Sequence, residues 1–259
     1  MIHVQSKHGP GTIIVPAAAQ PRYWEFSSSM ERLLVPEGTR YFIERGCSVV
    51  DNFNSAMKKA TGDWVWFLGD DHEFHEHTLM RFLDHQVDVV VPISPTKDAP
   101  WVPCVIHGPA DDRVWHENMD LYTWDELSGD GLMALPKGDF IGQAGMLVRM
   151  PILKQIGTPT FKCGQLDPGR LQEDLYLCHE LQQMGVTVWV DRDVVFDHWF
   201  IMGVTARKHN GQYVPAIKTG GKVVVLPDAK GVRDINRGDG VSRVKWLPKS
   251  PEQLEEAVL

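Results

Sequence analysis

Residues 64–72 read Trp-Val-Trp-Phe-Leu-Gly-Asp-Asp-His, an apolar run that ends in a glycine, two carboxylates and an imidazole. A short continuous apolar run predicts a strand buried on both faces. Carboxylates and imidazoles are rarely placed at the end of such a strand for packing, because buried polar groups need partners or a metal. Hard oxygen donors with one nitrogen donor suit a divalent cation, Mn²⁺ or Mg²⁺, and the cation suits a diphosphate. On an extended turn, positions two apart point the same way, so Asp70 and His72 are read as ligands. Asp71 then faces the sugar of a donor or the sheet edge. His198, after a predicted strand ending in Phe196-Asp197-His198, is the candidate third ligand, since two protein ligands leave an ion under-coordinated. Asp197 is the candidate partner that orients its ring.

Other residue types of chemical interest are spread along the chain. Glu173-Asp174 opens a predicted helix, where the helix dipole favours carboxylates on its own account. The functional alternative is a general base or a carboxylate that positions an acceptor hydroxyl. Phe140-Ile-Gly-Gln-Ala-Gly-Met146 carries glycines just before a strand, which allows a ligand to approach the backbone. His75, His77 and His85 fall on a polar loop and helix and are read as solvated. Trp101, Trp115 and Trp124 lie in a Pro-, Gly- and Asp-rich stretch, and their alternatives are stacking on a sugar ring or capping the core.

Alternating strands and helices must position these groups. Strands are expected at Gly11–Pro16, Arg40–Ile43, Trp64–Leu68, Val87–Pro92, Gly145–Arg149 and Thr187–Val190. Helices are expected at Tyr23–Leu34, Asn54–Ala60, Thr78–Asp84, Pro151–Ile156, Glu173–Gly185 and, at the acidic end, Pro251–Leu259. This alternation implies an α/β fold with a mainly parallel central sheet, doubly wound and flanked by helices. In such sheets ligands bind at the carboxyl ends of the strands. The 259 residues suffice for one large domain.

Composition narrows the class further. No apolar run is long enough to span a bilayer, and no signal-peptide core opens the chain. The four cysteines are widely spaced with no Cys-x-x-Cys pair, which argues against a zinc ribbon or redox motif and fits a reducing compartment. A cytoplasmic location, bacterial or in a phage-infected host, is therefore expected. The overall charge of −8 is uneven: residues 205–250 hold ten Lys and Arg against three Asp. A basic segment beside an acidic body suits a phosphate-bearing ligand or a polyanion, or is simply a solvated tail.

Taken in order, these segments resemble the nucleotide-sugar glycosyltransferases of the GT-A fold, Rossmann-like in its sheet, and above all the family-two-like group of small bacterial and phage enzymes. Asp70-Asp71-His72 looks like their Asp-x-Asp motif in its Asp-x-His variant. Asn54-Ser-Ala-Met-Lys-Lys-Ala-Thr-Gly-Asp63 resembles the run that commonly precedes it. Gly142-Gln-Ala-Gly-Met146 resembles the segment lining the donor sugar, Glu173-Asp174-Leu175 the Glu-Asp motif, and His198 the late histidine of the metal site.

The resemblance implies a single catalytic domain over residues 1–204 with a basic C-terminal arm or lid over 205–259. Within the domain, about 10–95 would form the nucleotide-sugar half and 96–204 the acceptor half. It implies transfer of a hexose or pentose from a nucleotide-diphosphate sugar to an acceptor hydroxyl. Asp70, His72 and His198 would hold the metal. Pro16, Ala17, Glu44, Asn54, Asp70, Asp71, Gly142, Ala144, Gly145, Arg207 and Lys208 would contact the donor, with Arg207 and Lys208 closing over its phosphates. Trp101, Trp115 and Trp124 would meet the acceptor. Asp174, with Glu173 second, would be the base of an inverting enzyme. Glu44 stands where an Asp usually reads the base, so UDP- and GDP-linked donors both remain open. The acceptor is a glycan, a protein or a polyanion such as hydroxymethylated DNA, and the oligomeric state is open. The alternatives weighed are a nucleotidyltransferase acting on sugar phosphates and a dinuclear-metal phosphohydrolase.

Overall fold

The structure, a computed structural model, describes residues 1–17, 23–46, 48–96, 101–108, 120–161, 164–166, 169–171, 173–199, 203–209, 212–219 and 222–225. Twelve strands build its two principal sheets: β1 (Thr12–Ala17), β2 (Arg40–Arg45), β3 (Trp64–Phe67), β4 (His72–Glu73), β5 (Val89–Ile93), β6 (Leu132–Ala134), β7 (Leu147–Arg149), β8 (Trp189–Val195), β9 (Asp197–Trp199), β10 (Gly203–His209), β11 (Gln212–Thr219) and β12 (Lys222–Val225). The helices are α1 (Trp24–Arg32), α2 (Val49–Met57), α3 (Thr78–Asp84), α4 (Met150–Ile156) and α5 (Glu173–Gln183).

The central sheet has seven strands in the order β6-β8-β5-β7-β3-β1-β2. Five of them run one way; β7 runs against both β3 and β5, and β6 runs against β8. The expectation of a mainly parallel sheet holds, with β7 as an antiparallel intruder that the apolar pattern does not reveal. Both faces are covered. Ile13, Val15, Trp64 and Trp66 pack with Phe26 of α1 and Phe82 of α3 on one face. Ile14, Val65 and Phe67 pack with Phe53 of α2, Leu153 of α4 and Leu181 of α5 on the other. Alternate side chains of one strand thus enter two cores, which is why the run is continuously apolar.

Helix α2 begins five residues before the expected start. Ser48 caps it, its hydroxyl accepting from the Asp51 amide at 3.0 Å, and a Ser three residues ahead of a carboxylate is a sequence-level start signal. The second sheet, β12-β11-β10-β9-β4, is antiparallel throughout. It takes in residues 203–209, 212–219 and 222–225, so the expected boundary at 204/205 falls inside β10, and those parts of the basic segment belong to one sheet with the strands bearing His72 and His198. The helix expected at 251–259 lies outside the described residues.

Candidate active site

Three strands that point the same way deliver the site at their carboxyl ends. β3 runs through Leu68 and Gly69 into a turn at Asp70 and Asp71, and His72 then opens β4. β5 ends in Ser94 and Pro95. β8 passes into β9, which carries His198. The short β4 pairs with β9 in antiparallel register, His72 opposite His198. This register brings the two imidazoles face to face, with ring centroids 4.2 Å apart and planes 20° from parallel. The Trp199 amide donates to the Asp71 carbonyl at 2.7 Å, and its indole donates to Glu73 Oε2 at 3.1 Å, tying the turn to β9.

Asp71, His72 and His198 form the one group of three such side chains among the described residues whose donor atoms converge, all within 4.8 Å of one another. Asp71 Oδ1 lies 2.8 Å from His72 Nδ1 and Asp71 Oδ2 lies 3.5 Å from His198 Nε2. The other ring nitrogens are engaged: His72 Nε2 with Ser94 Oγ at 3.0 Å and His198 Nδ1 with the Pro95 carbonyl at 2.8 Å. A carbonyl only accepts, so His198 Nδ1 carries a hydrogen, and Nε2 is the nitrogen that faces Asp71. His72 is buried, and Asp71 is half-buried. Burial alone would push the Asp71 carboxyl up; hydrogen bonds from His198 and His72, together with their charge when protonated, outweigh it and hold the group well below the usual carboxylate range. A carboxylate facing two imidazoles whose far nitrogens are committed could hold a divalent cation, and each ring has the kind of outer partner that metal-bound imidazoles have.

The sequence reading and the structure differ on which carboxylate joins the histidines. Asp71, not Asp70, lies within this group, because Asp70 and Asp71 occupy a turn and the face-sharing argument for extended chain does not apply to them. Asp197 does not orient His198. Its carboxylate holds Thr205 Oγ1 and the Arg207 guanidinium, the latter at 3.1 and 3.2 Å. Gly69 is required by close approach: a Cβ there would lie 2.7 Å from both Asp71 Oδ1 and His72 Nδ1.

Several other expected contacts are placed. Pro16 and Ala17 end β1 beside Glu44 and Arg45 of β2. The Glu44 carboxylate is paired with Lys59 and Ser55. Gly145 sits at the site edge with φ +83°, its amide donating to the Phe67 carbonyl at 2.8 Å, and a Cβ would meet Pro92 and Phe196 at 2.4 and 2.6 Å. Gly142 and Ala144 flank it on the same segment. Asn54 is a structural anchor in this arrangement: its amide brackets Phe161, donating to its carbonyl at 2.8 Å and accepting from its amide at 3.0 Å.

Arg207 and Lys208 are likewise committed to carboxylates, Arg207 to Asp197 and Lys208 to Asp130 at 2.6 Å. Trp124 is buried in the core, its indole donating to the Trp101 carbonyl at 3.0 Å. Trp101 is half-buried with φ +54°. Trp115 lies outside the described residues, as do the side chains of Glu173 and Asp174, which open α5. His75 and His77 are exposed as read. His85 instead bonds the buried Asp191 at 2.7 Å. The residues missed by sequence reasoning are Ser94 and Pro95. The available signal was a serine directly after the buried strand Val89–Ile93, a polar side chain at a strand end as at Asp70; the Pro95 contact is through its backbone carbonyl and leaves no such signal.

The sequence profile of glycosyl transferase family 2 matches residues 43–130, the segment that carries β3, the Asp70–His72 turn and β5. No curated protein matches by sequence. Among solved structures the chain is similar to A197 from STIV, at 14% identity and TM-score 0.49 over 75% of this chain and 88% of that one. It is similar to GalNAc-T7, solved with UDP, GalNAc and Mn²⁺, at 10% identity and TM-score 0.48 over 76% and 45%. It is also similar to the mannosyltransferase PcManGT from Pyrobaculum calidifontis, solved with GDP-Man and Mn²⁺, at 15% and 0.43 over 72% and 56%. The chain therefore spans about half the length of the last two. The profile match falls on the segment 43–130 alone, the stretch on which the resemblance to the glycosyltransferases also rests in part.

Proposed function

We propose that this protein is a metal-dependent glycosyltransferase that takes a sugar from a nucleotide-diphosphate donor, with the ion held by Asp71, His72 and His198. The observation that carries the reading is the convergence of these three side chains at the carboxyl ends of β3, β5 and β8, within the family-matched segment and its sheet neighbours. Two imidazole nitrogens with one carboxylate favour Mn²⁺ over Mg²⁺, which prefers oxygen donors. Such an ion neutralises charge on the departing nucleotide diphosphate.

The chain's own residues supply the rest. The Pro16–Ala17 end of β1 and Glu44 would line the base and ribose, and the Gly142–Gly145 segment the sugar. Asp70, in the turn beside the ligand carboxylate, contacts the donor. Asp174, at the start of α5, takes the acceptor proton if the reaction inverts, with Glu173 second. A uridine or guanosine donor and a hydroxyl acceptor on a glycan, protein or modified DNA base fit this arrangement. A single cluster of three ligands among the described residues supports one ion and disfavours the dinuclear hydrolase.

A melting-temperature panel of UDP, GDP and their sugars, each with Mn²⁺ and with EDTA, tests the reading, because a ligand that binds only the folded state raises the midpoint. A rise for one nucleotide that EDTA abolishes is expected. No rise with any diphosphate in Mn²⁺ would overturn it.

A further inference from the structure

The turn that leads from Phe140-Ile141 into β7 has a pinned backbone and, at Gln143, a buried side chain whose oxygen nothing holds. The Met146 amide donates to the Gln143 carbonyl at 2.8 Å, the Gly145 amide to the Phe67 carbonyl at 2.8 Å, and the Trp66 indole to the Gly145 carbonyl at 2.6 Å. Gln143 is 5% exposed, yet its side-chain oxygen has no hydrogen-bond partner among the described residues. A buried amide oxygen left unpaired costs free energy, and folded proteins seldom keep one without a use. We infer that Gln143 is a specificity-determining residue whose side-chain oxygen accepts a hydrogen bond from a hydroxyl, or an acetamido N–H, of the donor's sugar. This rests on the reading of the protein as a nucleotide-sugar glycosyltransferase.

The chemistry and the strand order both select the sugar. An amide oxygen only accepts, so neither an ionised diphosphate nor a carbonyl satisfies it, whereas sugar hydroxyls donate. β7 lies between β3 and β5, with Leu147 opposite both Trp66 and Val90. It runs against both strands, so the turn before it lies at their carboxyl ends. A Cβ on Gly145 would meet Phe196 at 2.6 Å, and the Phe196 ring lies 5.9 Å from that of His72. One side chain thus separates the turn from the cluster of Asp71, His72 and His198. β1 and β2, whose ends would take the base and ribose, lie on the other side of β3. A donor with its base there and its diphosphate at the end of β3 extends its sugar toward β7 and Gln143. The neighbours on the turn, Gly142 and Ala144, are half-buried and carry little side chain to block that approach.

The test uses the full chain in Mn²⁺, with UDP, UDP-glucose, UDP-N-acetylglucosamine, GDP and GDP-mannose as calorimetric probes. Gln143→Met, similar in size and apolar, should bind the nucleotide sugar that wild type accepts roughly 10-fold more weakly, the worth of one buried hydrogen bond. Its affinity for the matching nucleoside diphosphate should be unchanged. Without ligand its melting temperature should match or exceed that of wild type, since an unpaired amide leaves the interior. Gln143→Leu should behave alike. An amide that held the fold would give a lower melting temperature in both variants, with sugar and diphosphate affinities falling together, and that result overturns the inference. So does an undiminished sugar affinity in Gln143→Met, the outcome expected if an internal water is the partner of the amide. If neither variant folds, ¹⁵N-glutamine-labelled wild type decides. The Gln143 side-chain amide signal should move with the nucleotide sugar and stay with the nucleoside diphosphate; movement with both, or with neither, overturns the inference. Wild type that binds no nucleoside diphosphate and no nucleotide sugar overturns the glycosyltransferase reading itself.

Discussion

Two of the clusters among the described residues that place a carboxylate between nitrogen groups, those at Asp71 and Asp191, differ in what neutralises it. Asp191 on β8 is fully buried and accepts from Arg81 Nε at 2.6 Å, Arg81 Nη2 at 3.0 Å and His85 Nε2 at 2.7 Å. A guanidinium keeps its charge at every pH at which proteins fold. That cluster is complete within the chain and pins α3 to β8. Asp71 is held by two imidazoles, which carry charge only when protonated. In the site proposed above, a divalent cation would join this carboxylate to the ring nitrogens that face it. The same side-chain types therefore close the fold in one place and, on the function proposed above, would hold a site for a ligand in the other, and the permanence of the partner's charge makes the difference.

The comparison breaks most sharply at Asp71. Asp71→Asn should lose Mn²⁺-dependent nucleotide binding by more than about 100-fold, by analogy with removal of a direct ligand where an outer partner alone costs 10–100-fold. Its melting temperature should stay near wild type. Calorimetry that finds wild-type Mn²⁺ affinity would remove Asp71 from the site, and running Asp70→Ala in parallel tells which of the two carboxylates is the ligand.

Arg81→Ala should do the reverse. It strands a buried carboxylate and should cost about 3 kcal/mol in urea unfolding, the low end for a broken buried pair because Arg81 is 40% exposed. Mn²⁺ affinity should be untouched. The cost should also depend on pH with a fixed sign. Burial raises the Asp191 carboxyl, but Arg81 and His85 outweigh it and hold the group below its ordinary value of 3.8. A depressed carboxyl contributes stability above its unfolded value that is lost as pH falls through the folded one. The gap between wild type and Arg81→Ala should thus be full near neutral pH and narrow below about pH 3.8; a gap that widens in acid would show that Asp191 is not the group involved.

Smaller effects sharpen the boundary between the two roles. Gly69→Ala places a Cβ 2.7 Å from Asp71 Oδ1 and His72 Nδ1, so it should weaken Mn²⁺ binding more than it lowers the melting temperature. Asn54→Ala should cost about 1–2 kcal/mol through its two lost backbone partners at Phe161. Nucleotide affinity should be unchanged, and a marked loss would return Asn54 to the donor site.

Much of this was legible in the sequence because the signals are local. The buried strands were marked by apolar runs that alternate between two cores. Helix α3 was found at its observed limits, Thr78–Asp84. Within the site, His72 and His198 were both named. What escaped was set by contacts between distant segments. The expectation for Asp70 rests on extended chain, whereas residues 70 and 71 form a turn that places Asp71 beside the two histidines. His85 is read as solvated because Asp191 is 106 residues away. Arg207, Lys208 and Asn54, expected at the donor, have protein partners on other elements in Asp197, Asp130 and Phe161 that no local pattern announces.

The sequence by itself determined that β3 would be buried and would end in carboxylates and a histidine, that helices would cover both faces of its sheet, and that the chain resembles a glycosyltransferase. Those properties follow from short-range patterning, since burial and secondary structure are written in consecutive residues. Tertiary structure alone decided that His72 lies opposite His198, that Asp71 is the carboxylate between them, and that Ser94 and Pro95 hold the two rings. Each of these depends on strand register between segments far apart in the chain. A shift of one residue in that register would turn alternate side chains to the opposite face of the sheet and take the site apart.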